Sequence, residues 1–474
     1  MNNNHLNNNV EAIISELDIK TRKYWVNMLK SLRPEEVGVI KASGKLLEEP
    51  WLSQLCAETS YLTEKTGFYL PIVIGGGVQY DNLQGHNKSE KVNGLRVTSK
   101  ALIKQMVPLA LENQEKVINE LNKKGSEAVA IPFNKVFAQH HGIEISSTGE
   151  KTDTEYLGDV LTIDTKPIIS AIYNRQIAVL THLAVGADES EVYNLNAATL
   201  AKELVKILGS KKLIVVGDTP IHDKNDVVIR TINSELEFKK LIEDGTINGG
   251  AITNCREAFD LLKCIGYGSC VQITSLRDSA GDSNFKSTGL LEELLGDGSG
   301  TQLIMPPLIT SYPLVAVDQK RLAALINGVF KKSLGKVLVD DYFESIKPKD
   351  PTAYLDSQKK GGAISYQIRL GDNQDCPKIE YLCKIFTHED YEGMGIASST
   401  INTILLQKGD TAWRASLKNR DTINYYTKLV KRYEDLGFAE RNSEYMVFGV
   451  GIPKELKDTA IKVIGEIQKT VKEA

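Results

Sequence analysis

Four times in its first half the chain repeats one arrangement, a short apolar run that ends in a loop of small residues. Val37-Gly-Val-Ile40 runs into Lys41-Ala-Ser-Gly44, and Tyr69-Leu-Pro-Ile-Val-Ile74 runs into Gly75-Gly-Gly77. Gln176-Ile-Ala-Val-Leu180 leads to Ala184-Val-Gly-Ala187, and Lys212-Leu-Ile-Val-Val216 leads to Gly217-Asp218. Helix-like stretches such as Ala197–Leu208 and Arg256–Ile265 lie between the repeats. Short, wholly apolar runs that alternate with helices predict a parallel sheet covered on both faces. Ligands of such sheets sit at the carboxyl ends of the strands, where these loops fall. Leu161–Ile163 reads as part of a β-rich hairpin at the sheet edge.

The repeat stops after Gly298-Ser-Gly-Thr301, and Pro306-Pro307 follows. A block of different character then begins near Thr310. It holds a helix-like stretch, Gln319–Leu334, and strand-like segments at Gly362–Arg369 and Ile379–Phe386. A glycine loop, Glu392–Ala397, leads into a helix that reaches about Gln407. A boundary between Thr301 and Tyr312 gives a first domain over residues 10–305 and a second over residues 310–474. Apolar residues spaced by three and four from Val10 to Leu32 predict a leading helix closed by Pro34. The Asn-rich stretch at residues 1–9 is expected to be a disordered leader without the features of a secretory or transit signal.

A chain of 474 residues, 42% apolar and 25% charged, can bury two cores of ordinary size. Its net charge of -4 offers no attraction for nucleic acid or an anionic membrane. No apolar run approaches the roughly 18–20 residues that cross a bilayer. The six cysteines form no CxxC pair and none lies near a histidine at zinc-like spacing, so neither a metal site nor a disulfide framework is expected.

Chemistry concentrates in one local unit: Tyr381-Leu-Cys-Lys-Ile-Phe386, then Glu392-Gly-Met-Gly-Ile-Ala397, then a helix. A strand that enters a glycine turn at a helix N-terminus points backbone N–H groups and the helix dipole at an anion. On these residues, 310–451 resemble the GNAT-type acetyltransferase domain of N-acetylglutamate synthases. The resemblance places the pyrophosphate of acetyl-CoA on Glu392, Gly393, Met394, Gly395, Ile396 and Ala397, with Glu392 where the family favours Arg or Gln. It implies L-glutamate held by Lys336, Lys384 and Arg414, with Asn419 and Tyr425 as catalytic residues. Lys336 falls in Leu334-Gly-Lys-Val-Leu-Val-Asp-Asp-Tyr342, and Ser416 stands where the family has a further Arg. Two carboxylates need two cations, while the α-amine stays free to attack the thioester. Tyr425 would protonate the departing thiolate. The residue that takes the amine's proton is left open.

Residues 10–301 resemble the amino-acid-kinase fold, acetylglutamate kinase in particular. The matching pieces are Lys41-Ala-Ser-Gly44, Ile74-Gly-Gly-Gly77, Asn93-Gly-Leu-Arg-Val-Thr98, Asn194-Leu-Asn-Ala197 and Gly298-Ser-Gly-Thr301. Lys41 keeps the first lysine of that family. The second falls on Asn254, and the organising aspartate falls on Ala198, so little phosphoryl transfer is expected. The resemblance also implies arginine control at Glu292, Glu293 and Gly298, a homotetramer, and a mitochondrial address with the cytoplasm as the alternative. A bifunctional synthase–kinase and a non-catalytic arginine sensor stay open as other readings.

Overall fold

The structure, a computed structural model, describes residues 29, 31–76, 79–80, 83, 91–92, 95–146, 149–217, 219–232, 235–247, 249–266, 268–276, 288–295, 298–305, 307–334, 339–388, 391, 395–431, 437–442 and 444–467. The chain divides into two compact units, Met1–Met305 and Pro306–Ala474. Of the expected leading helix, only Leu29, Ser31 and Leu32 lie among the described residues.

The first unit opens with β1 (Gly38–Ala42), α1 (Trp51–Thr66), β2 (Ile72–Ile74), β3 (Lys91–Val92), β4 (Leu95–Arg96) and α2 (Lys100–Lys123). Next come β5 (Ala128–Ile131), β6 (Val136–His140), β7 (Ile143–Ile145), β8 (Lys151–Asp153), β9 (Leu157–Ile163) and α3 (Lys166–Tyr173). Then follow β10 (Ile177–Leu180), β11 (Leu183–Gly186), β12 (Val192–Leu195), α4 (Ala197–Leu208) and β13 (Lys212–Gly217). The unit closes with β14 (Thr231–Ile232), α5 (Glu235–Glu243), α6 (Gly249–Ile265), β15 (Cys270–Ser275), α7 (Leu290–Leu295) and β16 (Thr301–Ile304).

Eight of these strands form one sheet in the order β14-β16-β15-β13-β1-β2-β10-β5. Neighbours run parallel except β15 and β16. The four apolar runs are β1, β2, β10 and β13, the centre of the sheet, which explains why they lack a polar alternation. Successive side chains of one strand enter opposite cores. Val39 and Val73 pack with Leu200 and Leu204 of α4, while Ile40, Ile72 and Ile74 pack with Leu55 and Leu62 of α1. Helix α4 starts where the Asn196 side chain accepts from the amides of Ala198 and Thr199, and it stops at Gly209, whose φ of 70° is left-handed.

Two expectations are corrected. Leu161–Ile163 is the end of β9, which pairs with both β6 and β12 in a closed barrel of β11, β12, β9 and β6. It is therefore no edge hairpin. Ala184–Gly186, read as loop, belongs to β11 of the same barrel.

The second unit starts with β17 (Ile309–Pro313), α8 (Gln319–Leu334), α9 (Val339–Ile346), β18 (Thr352–Asp356), β19 (Gly361–Arg369) and β20 (Lys378–Thr387). It continues with α10 (Ile396–Lys408), β21 (Thr411–Ser416), α11 (Arg420–Lys431), β22 (Gly437–Arg441), β23 (Tyr445–Val450) and α12 (Lys457–Glu466). The sheet order is β17-β18-β19-β20-β21-β23-β22, and its one parallel pair is β20 with β21. One face buries Ile364, Tyr366, Tyr381 and Val447 against Ile326 of α8, Tyr342 of α9 and Ile464 of α12. The other buries Tyr354, Leu382 and Trp413 against Ile401 and Ile404 of α10 and Leu429 of α11.

Candidate active site between two diverging strands

The parallel pair is joined over three rungs, Glu380↔Thr411, Tyr381↔Ala412 and Leu382↔Trp413. Among the described residues no further rung joins β20 to β21. Yet β20 stays paired to β19 as far as Thr387, and β21 stays paired to β23 as far as Ser416. Each strand therefore keeps its outer neighbour while their inner edges part. Inner-edge backbone groups beyond Leu382 and Trp413 have no facing strand among the described residues, which makes a slot for an extended ligand.

A bulge falls at the point of divergence. Ile364 pairs with Lys384 and Ser365 with Leu382, so Cys383 is the extra residue on β20. An extra residue reverses which face the following side chains occupy. Alternation alone would put Lys384 beside Leu382, on the α10 side. The bulge turns it to the α8 and α9 side, where its Nζ lies 5.3 Å from the centre of the Phe330 ring and 5.5 Å from that of Tyr342. Cys383 is fixed there by its own thiol. Sγ donates to the Ile364 carbonyl at 3.1 Å and lies 2.9 Å from the hydroxyl of Tyr342, a buried residue of α9. Burial pushes the Cys383 thiol up to about 11 and holds Tyr342 well above the ordinary tyrosine range, so both stay protonated at neutral pH.

Lys384 is half-buried, and burial lowers its pKa, with the nearby Arg414 charge adding to the drop and Cys383 opposing it. No carboxylate among the described residues forms an ion pair with it. Arg414 lies on the other arm, β21, and its guanidinium sits 4.2 Å over the Tyr445 ring. Its donors are engaged: Nη1 donates to the carbonyls of Ile464 at 2.6 Å and Gly465 at 3.3 Å, and Nη2 to Ile467 at 2.6 Å. Arg414 thus caps the C-terminal end of α12, a favourable place for a cation. Three of the guanidinium's five N–H groups are thereby spent on the fold. Its positive field still reaches Lys384.

Asn419 caps α11, its Oδ1 accepting from the Thr422 amide at 3.3 Å. That contact satisfies one of the open amides of the first turn. The helix carries Tyr425, 40% exposed, next to Tyr426, which is buried against Trp413 and Phe448. Tyr425 therefore stands on a helix anchored in the core. Of the glycine loop, Gly395 has a left-handed φ of 72° and opens α10, Ile396 is buried, and Ala397 is half-buried. Glu392, Gly393, Met394 and Lys336 lie outside the described residues. Among the positions that sequence reasoning missed are Cys383 and Tyr342. The latter's signal was the Tyr that ends the motif containing Lys336.

In the first unit, Glu293 is completely buried, and its carboxylate accepts from Gln272 Nε2 at 2.5 Å, Thr274 Oγ1 at 2.8 Å, Ser299 Oγ at 3.0 Å and the Gly300 amide at 3.0 Å. A Cβ on Gly298 would fall 2.0 Å from Glu293 Oε2, so glycine is required there. The guanidinium of Arg230 donates to the carbonyls of Gly298 and Ser299. Glu293 and Gly298 hence form an internal hub, which corrects the reading of Glu293 as an open effector contact. Glu292 is half-buried. At the carboxyl end of β2, the Tyr80 ring packs on Gly76, where a Cβ would meet Cε2 at 2.0 Å. The Tyr80 ring lies tilted against His182, their centroids 5.1 Å apart, and burial lowers the His182 pKa to about 4, leaving it neutral while its Nδ1 donates to the Ile74 carbonyl. Asn254 is exposed on α6, and the Ala198 amide is taken by Asn196.

Residues 36–265 match the amino acid kinase family. An acetylglutamate kinase of Xanthomonas campestris pv. campestris is 28% identical over 420 residues, spanning 85% of this chain and 89% of that protein. One from Caldicellulosiruptor saccharolyticus is 33% identical over 48% of this chain and 78% of its own length. Among solved structures, the N-acetylglutamate synthase of Neisseria gonorrhoeae complexed with coenzyme A and N-acetyl-glutamate has the same fold, with a TM-score of 0.56 at 17% identity over 91% of this chain and 98% of that one. The same enzyme complexed with coenzyme A and L-arginine gives 0.55 over 90% and 97%, again at 17% identity. With a parallel sheet of this order in its first unit and a relative one-third identical, the chain belongs to the amino acid kinase family.

Proposed function

We propose that the chain is an N-acetylglutamate synthase, which moves the acetyl group of acetyl-CoA to the α-amine of L-glutamate. The observation that carries this reading is Lys384: a half-buried cation without a carboxylate partner among the described residues, at the mouth of an open parallel pair. A cation held out of water between aromatic rings binds a carboxylate strongly, because that carboxylate is the counter-charge the site lacks. Arg414 adds positive field from the opposite arm, so a dicarboxylate fits the face better than a neutral amino acid. The shared fold with the gonococcal synthase supports the same assignment.

In this mechanism the loop from Glu392 to Ala397 receives the pyrophosphate of acetyl-CoA, and the pantetheine arm enters the slot between β20 and β21. Lys384, joined by Lys336, holds the glutamate carboxylates and directs the α-amine at the thioester carbon. The amine lone pair forms the C–N bond, and an inner-edge N–H at the bulge stabilises the oxyanion. Collapse breaks the C–S bond, the Tyr425 hydroxyl protonates the leaving thiolate, and the proton lost by the amine nitrogen passes to solvent, from which the Tyr425 oxygen is reprotonated. The tight Cys383 clamp fixes where that N–H points.

The first unit serves as scaffold and effector domain, with L-arginine as the effector. A bifunctional synthase–kinase is favoured by the names of the sequence relatives. Ala198, Asn254 and the Tyr80 ring on Gly76 weigh against phosphoryl transfer, which needs preorganised cations and an open glycine turn. The test measures thiol release from acetyl-CoA with L-glutamate alongside ADP release from ATP with N-acetylglutamate. Glutamate-dependent thiol release, slowed about tenfold or more in Tyr425→Phe, with no ADP formed, is the expected outcome. Thiol release indifferent to glutamate would remove the synthase reading, and ADP turnover would establish the bifunctional one.

A further inference from the structure

A two-stranded hairpin that buries no apolar side chain depends on polar contacts to stay docked. The hairpin of β7 and β8 in the first unit is such a case. None of its paired residues is buried, and Ile143 and Ile145 are 63% and 54% exposed. Its base is closed by Thr154, which donates to the Gly142 carbonyl from its amide at 3.0 Å and from its hydroxyl at 2.8 Å.

Beside that closure, three side chains join the hairpin to the barrel. His141 follows β6, and its amide donates to the Leu157 carbonyl of β9 at 2.9 Å. Its Nδ1 lies 2.8 Å from Oδ1 of Asp159 on β9, in the barrel. Its Nε2 lies 3.0 Å from Oε1 of Glu144 on β7, in the hairpin. A carboxylate only accepts, and a neutral imidazole has a single N–H, so the imidazolium alone makes both bonds at once. The neutral ring must aim a lone pair at one of the two carboxylates. Burial by itself lowers the His141 pKa, but the bonds and charges of Asp159 and Glu144 outweigh it and raise the value above the ordinary 6.5.

The adjacent histidine differs. His140 Nε2 lies 2.9 Å from Oδ1 of Asp153 on β8, one contact that the ring makes whether neutral or charged. Among the described residues, Asp159 of β9 and Glu144 of β7 are the charged groups that face the His141 ring. The titratable groups nearby on β6 and β8, His140 and Asp153, face each other.

We infer that His141 is a proton-operated clasp: as a cation it joins the β7–β8 hairpin to the barrel, and on losing its proton it lets the hairpin open. The docked hairpin binds this proton more tightly than the open one. Docking is therefore complete below the ordinary 6.5 and is lost as pH rises through the higher value of the docked state. The clasp works whatever reaction the second unit performs.

Hydrogen–deuterium exchange of the full chain, followed by mass spectrometry from about pH 5.5 to 9 and corrected for intrinsic exchange, tests it. Protection of the β7 and β8 amides is expected to fall about three- to tenfold with rising pH, as a single-proton titration of a partly exposed contact. His141→Gln, which has one donor and no charge, should give low protection without that titration. His140→Gln should lower protection evenly and keep the midpoint. NMR of the parent chain with labelled histidines gives a second measurement that needs no variant. A His141 midpoint above the ordinary value and coincident with the loss of protection supports the clasp. A midpoint at or below the ordinary value, protection that ignores pH, or a His141→Gln chain that titrates like the parent overturns it.

Discussion

The carboxylate of Glu293 and the ammonium of Lys384 are the two most instructive charges in the molecule, and they are treated in opposite ways. Glu293 is surrounded by four donors from its own unit, its neighbouring carbonyls are engaged by Lys212 and Arg230, and nothing is left for a ligand to do. Among the described residues, Lys384 faces two aromatic rings, the Cys383 thiol and a like-charged neighbour, and no carboxylate. A buried charge with its partners built in holds a fold together; a partly buried charge without them invites a ligand. The first unit has closed the Glu293 hub upon itself, while the second has kept its slot open.

The contrast can be broken or sharpened by substitution. Glu293→Ala should have the largest effect, because it strands four buried donors at once. A loss of about 3–5 kcal/mol is expected in denaturant unfolding of the first unit. A loss under about 1 kcal/mol would mean that the hub is not internal after all. Lys384→Met keeps the packing of the stem and removes the charge, and should raise KM for glutamate about 30- to 100-fold with little change in stability. The same residue gives a pH signature. Its lowered pKa means that it loses its proton, and with it the substrate carboxylate, as pH rises through a value below the ordinary 10.4 or so of lysine. KM for glutamate should therefore climb on the alkaline side in the parent chain and stay flat in Lys384→Met. The smallest effect belongs to Cys383→Ala. It removes the thiol that clamps the bulge, and kcat should fall about three- to tenfold, with KM for acetyl-CoA held. A fall in KM affinity alone would place the thiol outside the chemistry.

Much of this architecture was legible in the sequence because it is written locally. The helix Gln319–Leu334 and the strands around Ile364 and Tyr381 follow from apolar spacing, and four apolar runs named the centre of the first sheet. What stayed hidden depends on partners far along the chain. Leu161–Ile163 looks like an edge hairpin until the rest of its strand, β9, is seen to join β6 to β12 in a barrel. One unmatched residue at Cys383 decides which face Lys384 occupies, and periodicity cannot register an insertion made by the opposite strand. The hold of Arg414 on α12 was hidden because nothing near it in sequence reveals carbonyls fifty positions downstream. Glu293 was expected at an arginine site on its resemblance alone, and its burial stayed hidden because its donors come from β15 and the turn after α7.

The grip of Arg414 on the carbonyls of Ile464, Gly465 and Ile467 also sets an order of events during synthesis. When β21 leaves the ribosome its arginine has no fixed direction, because the helix that will hold it has yet to be made. The first unit by then has its whole core in hand. A nascent chain therefore reaches a point where the scaffold is complete but one arm of the slot is still free to swing. A nonsense or frameshift lesion between Ser416 and Ile464 would yield a chain whose first unit folds and whose second cannot finish its site. Such a fragment would keep the core of the first unit and lack the end of the helix that fixes Arg414.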